Sequence, residues 1–143
     1  MLIGIPRILS PNLMAVMMEM GHGDELVIAD MNFPACSIAR AAGGQVIRAD
    51  GACAAEMLDA ILTLMPLDYA VQSPVAGMIK PDGPAPIHDE FRKVLAQRGY
   101  GPEKMEFMSK ADFYARAGRT YAVVATGESA RFANLIIKKG VIG

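Results

Sequence analysis

The chain has no tryptophan, only two cysteines and no surplus of either charge. Each shortage narrows the function. Lysine and arginine number 14 against 15 aspartates and glutamates in 143 residues. Both signs are scattered, so no basic face is expected to grip nucleic acid. Cys36 and Cys53 match no metal-ligand spacing and read as reduced thiols. No apolar run reaches about 18 residues, so no membrane partner is expected. Pro6, Arg7 and Pro11 interrupt the start of the chain, which does not read as a signal peptide; a cytoplasmic location is the expectation. No phosphate loop or dinucleotide fingerprint surrounds the solitary Gly127, and no Ser-His-Asp order is legible. The residues thus offer no motif for a nucleotide cofactor and no cysteine spacing for a metal.

What is present is apolar. Hydrophobic residues make up 52% of the chain and charged ones 20%. The length fits a single domain with a substantial core. So apolar a composition predicts surface buried between subunits. Eleven methionines make that core pliable.

Helical and extended patterns alternate along the chain. Ser10 and Pro11 read as N-cap and first helical residue, with a helix from about Asn12 to Met20 closed by Gly21. Leu26 to Ala29 suits a buried strand. A short helix over 37–42 ends at Gly43-Gly44, and a strand follows at 45–49. The spacing predicts a helix over 50–64 and short strands at 67–71 and 75–79. Residues 80–86 read as an exposed, mobile loop, 87–98 as an amphipathic helix, 105–108 as a strand and 109–117 as a short helix capped by Ser109. Strands at 121–125 and 133–139 complete the pattern. Such alternation predicts helices on both faces of a mixed sheet. His88, beside Asp89 and Glu90, reads as a solvated surface histidine.

The stretch from Met20 to Asp30 carries the chemistry. It places His22 and Asp24 on a glycine-flanked turn, crosses a strand and ends on Asp30. A histidine exchanges protons near neutral pH. Each residue also has a plainer reading: His22 as a surface residue past a helix end, Asp24 as a turn acid, Asp30 as a strand-end cap.

Four segments go further. Ile8-Leu9-Ser10-Pro11, Gly21-His22-Gly23-Asp24-Glu25 through Asn32-Phe33-Pro34, Val46 to Gly51, and Tyr121 to Ile142 together resemble the fucose mutarotase and ribose pyranase family. The Gly-His-Gly-Asp-Glu and Asn-Phe-Pro-Ala stretches resemble the fucose branch. The resemblance implies a three-layer α/β/α fold around a mixed sheet. It also implies ring-shaped decamers with sites at subunit interfaces, and cofactor-free interconversion of the α and β anomers of a free monosaccharide.

That reaction needs one group to take the anomeric hydroxyl proton and another to protonate the ring oxygen. By resemblance His22 is the proton donor, with Asp24 offered as holder of its ring, and Asp30 binds sugar hydroxyls. The family's basic contact falls at Lys110, where fucose-type members are expected to carry arginine; lysine keeps the charge without the bidentate fork. The family's Tyr-Gly-Asn or Tyr-Ala-Asn motif stands here as Phe132-Ala133-Asn134, keeping the ring and losing the phenol. Glu128 is read either as support for the site or as a turn acid. The departures at 110 and 132 leave room for ribose or another sugar as substrate, or for a sugar-binding protein without catalysis.

Overall fold

A computed structural model describes residues 2–143. The elements in chain order are α1 (Pro11–Glu19), β1 (Glu25–Ala29), α2 (Ala35–Ala42), β2 (Gln45–Ala49), α3 (Ala54–Leu62), β3 (Val75–Met78), α4 (Pro86–Gln97), β4 (Met105–Met108), α5 (Lys110–Ala117), β5 (Ala122–Thr126) and β6 (Leu135–Lys138). One 3-10 turn, Pro102–Lys104, leads into β4.

The six strands form one sheet in the order β2-β5-β1-β6-β3-β4. β6 runs antiparallel between β1 and β3. The β1–β5, β2–β5 and β3–β4 pairs are parallel. Side chains alternate across the sheet as strand geometry requires. Leu26 and Ile28 of β1 enter one core with Leu13 and Val16 of α1, Met57 and Ile61 of α3, and Phe91 and Leu95 of α4. Val27 and Ala29 enter the opposite core with Ala35 and Ala39 of α2 and Phe113 and Ala117 of α5. The fold is thus the expected three-layer α/β/α sandwich around a mixed sheet.

The topology decides where a site can be. β6 runs against its neighbours, so its N-terminal end lies beside the C-terminal ends of β1 and β3. That is the edge at which open α/β sheets bind ligands. The opposite edge carries the entrance to β1 and the exit of β6. They are tied there by Gly23 N–H to Lys139 O at 2.9 Å and Lys139 N–H to Asp24 O at 2.9 Å.

Several expected boundaries move for identifiable reasons. Helix α3 begins at Ala54 because Asp50 to Cys53 forms a turn. Glu56 closes that turn by accepting the Cys53 N–H at 3.1 Å. The expected strand at 67–71 reduces to one bridge, Leu67 to Lys139. Asp68 turns the chain there, its Oδ1 accepting the Ala70 N–H at 2.9 Å. His88 is not a surface residue: it is 4% exposed, in the first turn of α4. Its ring lies among Phe91 and Phe107, with centroids at 6.4 and 4.8 Å. The charges that mark the sequence as solvated belong to its neighbours on the outer face of the helix.

Candidate functional site

Asp30 directly follows β1, and Asn134 directly precedes β6. The register Ile28 opposite Leu135 brings them together. Asn134 Oδ1 accepts the Asp30 backbone N–H at 2.9 Å, and Asn134 Nδ2 donates to Asp30 Oδ2 at 2.8 Å. Asp30 Oδ1 accepts the Asn32 N–H at 3.0 Å. Both side chains are buried and held by 104 residues of intervening fold. An acceptor and a donor fixed by each other in this way suit a ligand with hydroxyl groups.

They line a cavity of about 390 Å³ with Asn32, Phe33, Met78, Lys110, Tyr114, Arg131 and Phe132. Lys110 opens α5, and Tyr114 is one turn further along it, so both face the cavity. The Lys110 ammonium stands 5.4 Å from the centre of the Tyr114 ring. Phe33 meets Tyr114 edge to face at 5.4 Å and fixes its plane. Ala133 is fully buried in the core shared with α1, α3 and α4 and does not line the cavity.

Phe132 alone among the non-glycine residues described has a positive φ, +63°. A bulky side chain there costs about 1–2 kcal/mol, so surrounding contacts must enforce it. Nearby, Glu128 is buried, with Oε1 accepting the Ala130 N–H at 2.8 Å and Oε2 accepting the Ala54 N–H at 3.3 Å. It ties the 126–134 segment to the start of α3, which places it in the site's support.

His22 is elsewhere. It precedes β1 at the opposite sheet edge, with its side chain 51% exposed. It lines a separate cavity of about 450 Å³ among Met17, Met20, Met65, Pro66, Lys139 and Ile142. β1 alone separates this edge from Asp30 by roughly 16 Å, at about 3.3 Å per residue.

The carboxylate on the His22 ring is Asp68's, not Asp24's. His22 Nε2 and Asp68 Oδ1 are 3.1 Å apart. A carboxylate only accepts, so Nε2 carries the proton and Nδ1 is left for exchange. The Ala70 N–H first, and then His22, hold the Asp68 carboxyl below the ordinary carboxylate range. Asp24 serves the turn: its Oδ2 accepts the Gly21 N–H at 2.7 Å. Lys139 Nζ donates to the carbonyls of Met17, at 2.7 Å, and Met20, satisfying the C-terminal end of α1 beside the histidine.

Of the residues singled out from sequence, the fold brings Asp30, Lys110, Phe132 and Asn134 to one cavity and leaves His22 and Asp24 at the other edge. Asp68, Tyr114 and His88 were not singled out for the site. Tyr114 had a readable signal, its four-residue spacing from Lys110 on a helix. Asp68 lies 46 residues from His22, and His88 44 residues from Phe132; no local pattern links such pairs. Among the described residues no group of three histidine, cysteine, aspartate or glutamate side chains is close enough to hold a metal, and no helix is long and apolar enough to cross a membrane.

Comparison with known proteins places the sequence and the fold in a family. The model of the RbsD / FucU transport protein family matches residues 3–142. The fucose mutarotase of Bos taurus is 45% identical over 145 residues, covering 97% of this chain and 93% of that protein. The crystal structure of the fucose mutarotase of Streptococcus pneumoniae in complex with L-fucose superposes with a TM-score of 0.92 at 42% identity, covering 99% of this chain and all of that one. Bacillus subtilis RbsD complexed with D-ribose shares the fold, with a TM-score of 0.75 at 19% identity over 94% of this chain and 95% of that one. By its sequence across nearly its whole length, the chain belongs to the RbsD / FucU family.

Proposed function

We propose that this protein is an enzyme that interconverts the α and β anomers of a free monosaccharide, with L-fucose as the substrate. The carrying observation is the reciprocal Asp30–Asn134 pair on the wall of a sugar-sized cavity. The identity to fucose mutarotases over nearly the full length supports the choice of sugar.

In the reaction a base takes the proton of the anomeric hydroxyl and an acid protonates the ring oxygen. The bond from C1 to the ring oxygen breaks, leaving an open aldehyde. The aldehyde turns about the C1–C2 bond, and the hydroxyl re-adds to its other face. Protons and electrons balance without any oxidant. His22 is assigned one proton transfer through Nδ1, with Asp68 fixing its tautomer. Asp30 accepts from sugar hydroxyls, Asn134 donates, and Lys110 supplies positive charge at the cavity rim. Tyr114 puts a phenol into a pocket where residue 132 has none.

His22 and Asp30 serve one sugar only if they come from different copies of the chain. This reading takes the site to be shared across a subunit interface in a ring-shaped homo-oligomer, a decamer by family resemblance. Its support is the surface around His22: Met18 and Ile142 are 80% and 88% exposed beside the methionine-lined cavity. So much bare apolar surface marks an interface. A cytoplasmic location belongs to the same proposal.

Saturation transfer between the anomeric proton signals of L-fucose tests the activity. Protein-dependent exchange that falls at least about 100-fold in His22→Ala is expected, the usual contribution of a general acid or base. Exchange with D-ribose and not fucose would move the substrate. Sugar binding without exchange would make the protein a binder.

A further inference from the structure

We propose that His88 is a positioning residue for the sugar pocket: its Nε2–H holds the Phe132 carbonyl and keeps the segment from Phe132 to Asn134 in its binding conformation. The inference rests on the sugar-site reading above and adds a residue outside the pocket wall.

The geometry is specific. His88 Nε2 and Phe132 O are 3.1 Å apart. A carbonyl oxygen only accepts, so the proton must be on Nε2. The bond pins the peptide plane between Phe132, whose φ of +63° is unfavourable for a bulky side chain, and the fully buried Ala133. Asn134, the partner of Asp30, follows directly. A shift of that plane would therefore move the pocket's amide. The imidazole is itself held between Phe91 and Phe107, and the His88 backbone N–H donates to the Ala85 carbonyl at 2.9 Å.

The surroundings keep the ring neutral. Burial and the Arg92 charge lower its affinity for a proton, outweighing the Phe132 carbonyl and Asp89. The N-terminal turn of α4 acts in the same direction. Lys80 from the loop after β3 lines the same small cavity as His88 and Arg92, while Arg131, just before the held segment, stands over the Phe132 ring on the sugar-pocket side. The facing charges are thus Asp89 against Arg92 and Lys80, and a neutral, Nε2-protonated donor is the form that fits.

The proposal separates from a purely structural role by coupling. With L-fucose as probe, His88→Leu should raise KM about tenfold, the usual effect of stranding a buried carbonyl, with a smaller change in kcat. His88→Gln, whose amide can donate, should recover most of that loss. In a Phe132→Gly background the His88→Leu penalty should shrink to less than about twofold, because glycine holds a positive φ unaided. The same penalty in both backgrounds, or no penalty in a folded His88→Leu protein, would overturn the proposal. Nitrogen-15 spectra of the wild-type imidazole decide independently of folding or activity: the proton must sit on Nε2, and a proton on Nδ1 ends the idea. If wild type exchanges no fucose anomers, the sugar reading fails, while those spectra and the amide protection of Ala133 and Asn134 in His88→Leu still decide the role of His88.

Discussion

At the scale of single residues, the site is made of pairs whose members fix each other. Asp30 and Asn134 exchange two hydrogen bonds, so neither side chain can turn to a ligand in more than one way. Asp30→Asn keeps the shape but replaces an ionised acceptor by an amide. It should weaken L-fucose binding about tenfold or more, as expected for a hydrogen bond to a charged group, and calorimetric titration measures it. Asp68→Asn should lower anomer exchange about tenfold while leaving sugar affinity near wild type, because it frees the His22 tautomer without touching the sugar pocket. Lys110→Arg restores the side chain expected of fucose-type members; an increase in fucose affinity over ribose is the expected outcome in the same titration.

At the scale of elements, local signals and long-range contacts divide the account. Helix α1 was legible because its cap is local: Ser10 Oγ accepts the Leu13 N–H at 3.2 Å and Pro11 opens the first turn. Ser10→Ala should cost about 1 kcal/mol, read by urea denaturation. Strand β5, β-branched from Val123 to Val124, was equally plain. The strand over 67–71 was misread because Leu67 and the Asp68 turn look extended in isolation. Only the position of β6 shows that one bridge is all the sheet accepts there. His88 was misread because Asp89 and Glu90 on the outer face of α4 mask the inward direction of one ring. The residues around Asp30 were legible through family likeness, and their separation from His22 was legible too, because a strand lies between them in the sequence; the Asp68 carboxylate on the His22 ring was not, because only the folded sheet brings that distant turn to it.

The entrance to β1 carries a second element-scale device. Arg116 of α5 donates to both oxygens of Glu25 and to Glu106, and Lys138 stands 3.3 Å from Glu25. Burial pushes the Glu25 carboxyl up, but Arg116 and Lys138 outweigh it and hold the group below its ordinary value of 4.5. Arg116→Met would leave a half-buried carboxylate with Lys138 as its one cationic partner. A loss of about 2 kcal/mol is expected, below the figure for fully buried pairs because solvent screens this one.

At the scale of the whole molecule, the perturbed groups His88, Glu25 and Asp68 all act on the acid side. His88 in the fold takes up its proton below the ordinary 6.5, so the unfolded chain binds more protons as pH falls through that value, and stability declines. Glu25, depressed below 4.5, and Asp68, depressed below 3.8, add a second decline at lower pH. Melting temperature should thus fall in two steps on acidification, and His88→Gln should flatten the first. The methionine-lined surface around His22 should keep the protein oligomeric; sedimentation at micromolar concentration is expected to show no stable monomer.

The most direct measurement of the shared site uses two inactive proteins. His22→Ala and Asp30→Lys, the second placing a long cation where the sugar hydroxyls would bind so that anomer exchange on L-fucose is lost, are unfolded together in equal amounts and refolded. If one copy supplies the histidine and its neighbour the sugar pocket, random assembly pairs an intact half with an intact half at about one interface in four, and about a quarter of wild-type exchange should return. Mixed rings that form and stay inactive would contradict a site divided between copies.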